Sequence, residues 1–188
     1  MEKAGSYVSG ASSTPLIGMT IGESLDRARE LWDDHEALVS PSHGVRLTWR
    51  QLVDQVDAVA AGFLALGLER GDRIGVWSLN RPEWTLTQFA AAKAGLILVT
   101  INPAYRLHEL EYALAKVGCS ALVTATEFKT SKYMEMVNTL IPELASAAPG
   151  CTSGRPWSVP SPARRRSRCS GCCDGSASRP SASRWCRW

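Results

Sequence analysis

The stretch from Asp72 to Gly118 constrains the fold most, because it punctuates itself at every joint. Arg73-Ile74-Gly75-Val76-Trp77-Ser78 is a short, mostly apolar run. Pro82 follows where a helix takes its first residue: its fixed φ suits that position and its missing N–H costs nothing there. Glu83 to Ala94 is rich in helix formers, and Gly95 offers a left-handed stop. Leu96-Ile97-Leu98-Val99-Thr100-Ile101 is apolar and β-branched without alternation, which suits a strand covered on both faces in a parallel sheet. Asn102-Pro103 breaks it. Leu107, Leu110, Leu114 and Val117 then share a helical stripe that Gly118 ends, and Ala121-Leu122-Val123-Thr124 begins another strand. The economical reading is an α/β fold, a βαβαβ lobe around a parallel sheet.

A helix and a short hairpin precede that lobe. Thr20 and Glu23 have capping-box spacing for a helix to about Trp32, with Leu25, Ala28, Leu31 and Trp32 as its apolar side. Glu36 to Val39 and Val45 to Leu47 read as two strands joined by the turn Pro41-Ser42-His43-Gly44. Thr48 and Gln51 form a second capping box. The helix behind it repeats Leu52, Val56, Val59, Ala60, Phe63 and Leu66 before Gly67, and so long a stripe reads as a core face. After Thr124 a helix is expected from about Glu127 to Ile141, with Tyr133, Val137, Leu140 and Ile141 on one side and Pro142 at its end. The Ser/Gly/Ala-rich residues 1–13 are expected to be flexible.

Charge and cysteine usage divide the chain near Gly150. The 188 residues carry a formal charge of +3. Residues 151–188 hold eight arginines and one aspartate, so that tail carries +7 and the body −4. Cys119 is the body's single cysteine, whereas the tail has Cys151, Cys169, Cys172, Cys173 and Cys186. A lone thiol at a helix–strand joint fits a reduced, cytoplasmic protein. The N-terminus has no basic region followed by an apolar core, and no run reaches the ~18 apolar residues of a membrane span.

Chemistry-bearing side chains are sparse. In an open α/β sheet, ligands sit outside the carboxyl ends of the strands, here Ser78 to Arg81, Thr100 to Asn102 and Thr124 to Thr126. Asn80 and Asn102 could offer amides there, but both stand near prolines, where turn and capping roles are the simpler reading. His35, His43 and His108 lack metal spacing and read as surface groups. Glu109, Glu111 and Lys116 read as a solvated helix face. Arg106 begins a helix, where capping or a surface ion pair outweighs anion binding. No G-x-G-x-x-G follows a strand, which argues against a dinucleotide site.

Several segments carry a family resemblance in the right order: Leu47-Thr48-Trp49-Arg50-Gln51-Leu52, Gly67 to Arg73, Asn80-Arg81-Pro82-Glu83-Trp84, Ala92-Lys93-Ala94-Gly95, Asn102-Pro103-Ala104-Tyr105, Glu109 to Leu114 and Lys116-Val117-Gly118-Cys119. Together they resemble the N-terminal part of AMP-forming acyl-CoA synthetases, the adenylate-forming ligases, and within them the fatty-acid-activating branch called acyl-CoA synthetase family member 2. The resemblance covers Thr14 to about Gly150, so residues 14–150 are expected to be a partial synthetase N-terminal domain. For an intact relative it implies fatty acid metabolism: fatty acid, ATP and CoA give acyl-CoA, AMP and pyrophosphate through an acyl-adenylate, with Mg2+ present. The chemistry needs a phosphate loop, an acidic residue for the ribose and a lysine from a mobile C-terminal domain. None of these motifs is in the sequence. No catalytic, cofactor-binding or metal residue is therefore assigned, no cofactor is expected to bind this fragment, and inactivity alone is expected, with aggregation or chaperone contact in its place.

The tail offers two chance likenesses. Thr152-Ser153-Gly154 is similar to the start of the family's phosphate loop, but Arg155-Pro156-Trp157 replaces the glycines, threonines and lysine that would cradle phosphate. Cys169-Ser170-Gly171-Cys172-Cys173 is half of a zinc site without its second pair. The tail lacks Leu, Ile, Phe, Tyr, Lys, Glu, Asn and Gln, and apolar periodicity vanishes in it. An out-of-frame, disordered segment is the expectation for residues 151–188. The competing reading is a non-catalytic α/β module whose basic tail is an arm for nucleic acid or anionic lipid, although no specific nucleic-acid site is expected.

Overall fold

The computed structural model describes residues 10, 13–14, 16–145 and 184–187. Two capping boxes fix the first helices. In α1 (Ile21–Trp32) the Glu23 N–H donates to Thr20 Oγ1 at 3.2 Å and the Thr20 N–H donates to Glu23 Oε2 at 2.7 Å. In α2 (Trp49–Ala65) Thr48 and Gln51 make the same exchange at 3.3 and 3.0 Å. Between them β1 (Glu36–Ser40) and β2 (Val45–Thr48) pair antiparallel across the expected turn, which Gly44 closes at φ 65°.

The lobe follows as β3 (Arg73–Trp77), α3 (Pro82–Lys93), β4 (Ile97–Ile101), α4 (Leu107–Val117) and β5 (Ala121–Thr124). Gly95 and Gly118 take the left-handed conformation expected of them, at φ 71° and 65°. The strands are parallel, and β3 lies between β4 and β5. Alternation then sorts side chains onto two faces. Ile74, Val76, Ala121 and Val123 join one core with Leu52, Val56 and Phe63 of α2 and Ala90 and Ala91 of α3. Trp77, Ile101 and Leu122 join a second with Leu110 and Leu114 of α4 and Tyr133 and Val137 of α5 (Tyr133–Leu140). Gly75 lies against the second core, where a Cβ would sit 3.0 Å from both Ile101 Cδ1 and Leu122 Cδ1. A side chain there would overpack the interior.

The structure departs from expectation at four points. The last helix begins at Tyr133, not near Glu127. Phe128 and Ser131 instead exchange two backbone hydrogen bonds of 2.8 Å around a turn with Lys129 at φ 52°, and this turn uses the chain that would have made the first helical turns. Strand β4 is covered unevenly: Leu98 packs against the first core and Val99 and Ile101 against the second, but it is an edge strand and Ile97 at its start is 51% exposed. Leu31, Trp32 and Val117, expected on apolar stripes, are exposed among the described residues. The tail was expected to lack structure, yet Arg184–Arg187 form β6, parallel to β5 from Ala121↔Arg184 to Thr124↔Arg187. An open strand edge offers donors and acceptors to any extended segment, whatever its composition. The rest of the tail, with both of its chance likenesses, lies outside the described residues.

Candidate functional site

The chain leaves β3 toward β4 on one side and returns to β5 on the other. That reversal is the switch point where open α/β sheets place their ligands. Two of the three expected strand ends meet there. Ser78, Arg81, Trp84, Val123, Thr124 and Thr126 line a cleft of about 70 Å³.

Four of its polar side chains are engaged locally. Arg81 donates to Glu83 through Nε and Nη2, each at 3.3 Å. Partial burial works against the Glu83 charge, but the hydrogen bond and charge of Arg81 outweigh it and hold the carboxyl below its usual range. Thr124 Oγ1 donates to the Trp77 carbonyl at 3.1 Å, and Ser78 Oγ donates to the Leu79 carbonyl at 2.9 Å. Small-molecule sites take roughly 300–1,000 Å³, so this cleft is too small for a nucleotide or CoA. A larger depression of about 470 Å³ lies along α4, lined by Tyr105, His108, Glu109, Tyr112 and Lys116. It is an open helix surface, and Lys116 is held at 2.8 Å on the Tyr112 hydroxyl.

The third strand end is built into an aromatic latch. Trp77 Nε1 donates to the Asn102 carbonyl at 3.1 Å, and the Tyr133 hydroxyl donates to the Pro103 carbonyl at 2.8 Å. The two rings stack with centroids 4.1 Å apart. Asn102 Oδ1 accepts from the Ala104 N–H at 2.9 Å, the turn role expected of it. The latch was missed in the sequence because Trp77 and Tyr133 stand on different elements, and only the buried stripe at Tyr133 pointed toward it.

The other candidates stay apart. Asn80 is exposed. His35 contacts the Trp32 carbonyl at 3.2 Å, His43 contacts Ser40 and Ser42, and His108 is exposed on α4. The Arg106 N–H is capped by Glu109 at 3.1 Å. Burial pushes the Cys119 thiol up to about 11 against the opposing charge of Arg73, which makes it an inert core group. Among the described residues, no three His, Cys, Asp or Glu side chains converge as metal ligands would. No helix among them is long and apolar enough to cross a membrane. Among the described residues, neither depression is lined by a phosphate loop or by a trio of metal ligands.

Comparison with known proteins supplies the context this geometry lacks. The AMP-binding enzyme family model matches residues 25–168. That match runs past Gly150, where the resemblance read from the residues ended. The chain is 49% identical over 145 residues to the medium-chain acyl-CoA ligase ACSF2, mitochondrial, of Danio rerio, and 46% identical to the Homo sapiens protein of that name. Those alignments cover 77% of this chain, which spans 24% of each relative's length. The crystal structure of the N-terminal domain of FACL13 from Mycobacterium tuberculosis superposes with a TM-score of 0.58 at 25% identity, covering 69% of this chain and 31% of that one.

Proposed function

The chain belongs to the AMP-binding enzyme family, and from that premise we propose that it is the N-terminal lobe of a fatty-acid:CoA ligase, architectural and inactive by itself. One observation carries this reading: close to half the residues match an acyl-CoA ligase over 77% of the chain but only 24% of the ligase. The switch-point cleft supports it: Arg81 is paired with Glu83, and the Ser78 and Thr124 hydroxyls are engaged with backbone carbonyls.

In the intact relative, a fatty-acid carboxylate would attack the α-phosphorus of ATP and release pyrophosphate. The CoA thiol would then attack the acyl carbonyl and release AMP. Mg2+ and the groups for both steps belong to parts of the ligase beyond this lobe. We assign residues 14–150 to the lobe and residues 151–188 to an out-of-frame tail, in a reducing compartment that is cytoplasmic on the sequence reading. The DNA downstream of the Gly150 codon, read in three frames, tests the tail: a continuation with the phosphate loop in another frame is expected.

The activity test is direct. The purified chain, given ATP, Mg2+, CoA and a medium-chain fatty acid, is expected to form no thioester above a heat-treated control. ATP-dependent thioester formation would overturn the proposal.

A further inference from the structure

Among the described residues, the outer edge of β4 pairs with no strand, and its backbone pattern decides what can pair with it. The Ile97 N–H donates to the Asp72 carbonyl at 2.8 Å. Parallel pairing with β3 over Ile74↔Leu98 to Trp77↔Ile101 therefore turns the peptide groups of Ile97, Val99 and Ile101 inward. The Ser120 N–H donates to the Arg73 carbonyl at 2.7 Å, so β3 alternates the same way toward β5. Leu98 and Thr100 are left with N–H and C=O groups directed away from the sheet, and no described strand pairs with them.

Natural edges are blunted by charge, proline or a bulge. The β4 run Ile-Leu-Val-Thr-Ile has none of these, and its register with β3 is unbroken. The sheet's other edge, β6, reads Arg-Trp-Cys-Arg, with two like charges in four residues. Of the two edges, β4 is the one a second copy meets without charge repulsion.

We propose that β4 is a self-association edge whose occupant is a second copy of this chain. Antiparallel pairing about a two-fold axis at Val99 sets Leu98 opposite the copy's Thr100 and Thr100 opposite the copy's Leu98. Each is then a hydrogen-bonded pair, so all four outward N–H and all four outward C=O groups on the two edges are satisfied at once. The two sheets become one. The proposal does not depend on the ligase assignment. A five-residue edge buries less than the roughly 1,200 Å² of a stable interface, so the dimer is reversible and depends on concentration.

Sedimentation velocity of the full chain over a dilution series tests it. The expected result is a monomer–dimer equilibrium. Thr100→Pro removes an outward N–H and leaves the β3-facing ladder intact. Thr100→Lys sets an exposed charge beside its copy. Each should move the midpoint to about tenfold higher concentration or beyond. Circular dichroism identifies a variant that fails to fold, and the lysine variant decides alone if proline is not tolerated. Amide exchange at Leu98 and Thr100 should slow with concentration, while Val99 and Ile101 stay protected throughout. A monomer at every concentration, or association of any size untouched by a folded variant, would overturn the proposal.

Discussion

Lys93 ties three helices together through one ammonium group. Its Nζ lies 2.6 Å from Asp26 of α1 and 2.6 Å from Asp57 of α2, with its side chain 15% exposed. Gly22 of α1 rests on its stem, where a Cβ would sit 3.2 Å from Lys93 Cγ. Burial works against the Lys93 charge, but hydrogen bonds to Asp26 and Asp57 outweigh it and raise its pKa above the ordinary 10.5. A raised lysine pKa gives stabilisation that is complete below 10.5 and fades as pH climbs through the higher folded-state value. Lys93→Met keeps the stem and loses the charge. Both aspartates are half exposed, so the expected cost at pH 7 is about 1 kcal/mol. Urea unfolding from pH 7 to 11 checks it: the gap from the parent should narrow above pH 10.5, and a constant gap would mean the loss is only packing. The sequence marked Lys93 as a helix former within a family-like segment but not as an ion-pair centre, because its partners lie 67 and 36 residues away.

Element boundaries were legible wherever local chemistry sets them. Thr20 with Glu23, Thr48 with Gln51, Pro82, Gly95 and Gly118 each satisfy a helix terminus within a few residues, so the sequence located α1 to α4 closely. The start of α5 was not legible, because it is decided across the sheet. Tyr133 is the first residue of α5, its ring buried against Trp77 and its hydroxyl on the Pro103 carbonyl. A helix beginning at Glu127 would compete with the Phe128–Ser131 turn that delivers Tyr133 there. The candidate site followed the same rule. The strand ends were found from topology, but the commitment of Arg81 to Glu83 and of Thr124 to the Trp77 carbonyl was visible only in three dimensions. Tyr133→Phe isolates the latch hydroxyl while preserving the stacking. Its expected cost is about 1 kcal/mol, against about 3–5 kcal/mol for Tyr133→Ala, which also empties the core site. Thermal melts of the two variants check the order, and equal losses would mean the aromatic contact contributes nothing beyond the hydrogen bond.

At the scale of the molecule, the two cores are unequally served by the chain that surrounds them. Central strands β3 and β5 are closed on both faces, whereas Leu16, Ile17 and Ile21 before and at the start of α1, and Leu31 and Trp32 at its end, lie open among the described residues. Large apolar side chains left open at both ends of one helix suit contact with other protein. In a ligase four times as long, such a face has somewhere to pack. On the proposed reading, a lobe with an architectural role and no activity of its own should be exchangeable between relatives. Residues 16–145 of this chain, joined to the remainder of the Danio rerio ligase in place of its own matching segment, should restore ATP- and CoA-dependent thioester formation. The buried positions of the two cores decide whether the graft folds, and at 49% identity volume-conserving differences in those positions are tolerated. A folded, soluble graft without activity would show that the replaced segment carries a group the reaction needs and this lobe lacks, and that the purely architectural reading is wrong. An active graft that loses activity with Trp77→Ala but keeps it with Arg81→Ala would place the lobe's contribution in the aromatic latch that holds the strand ends, and not in the cleft beside it.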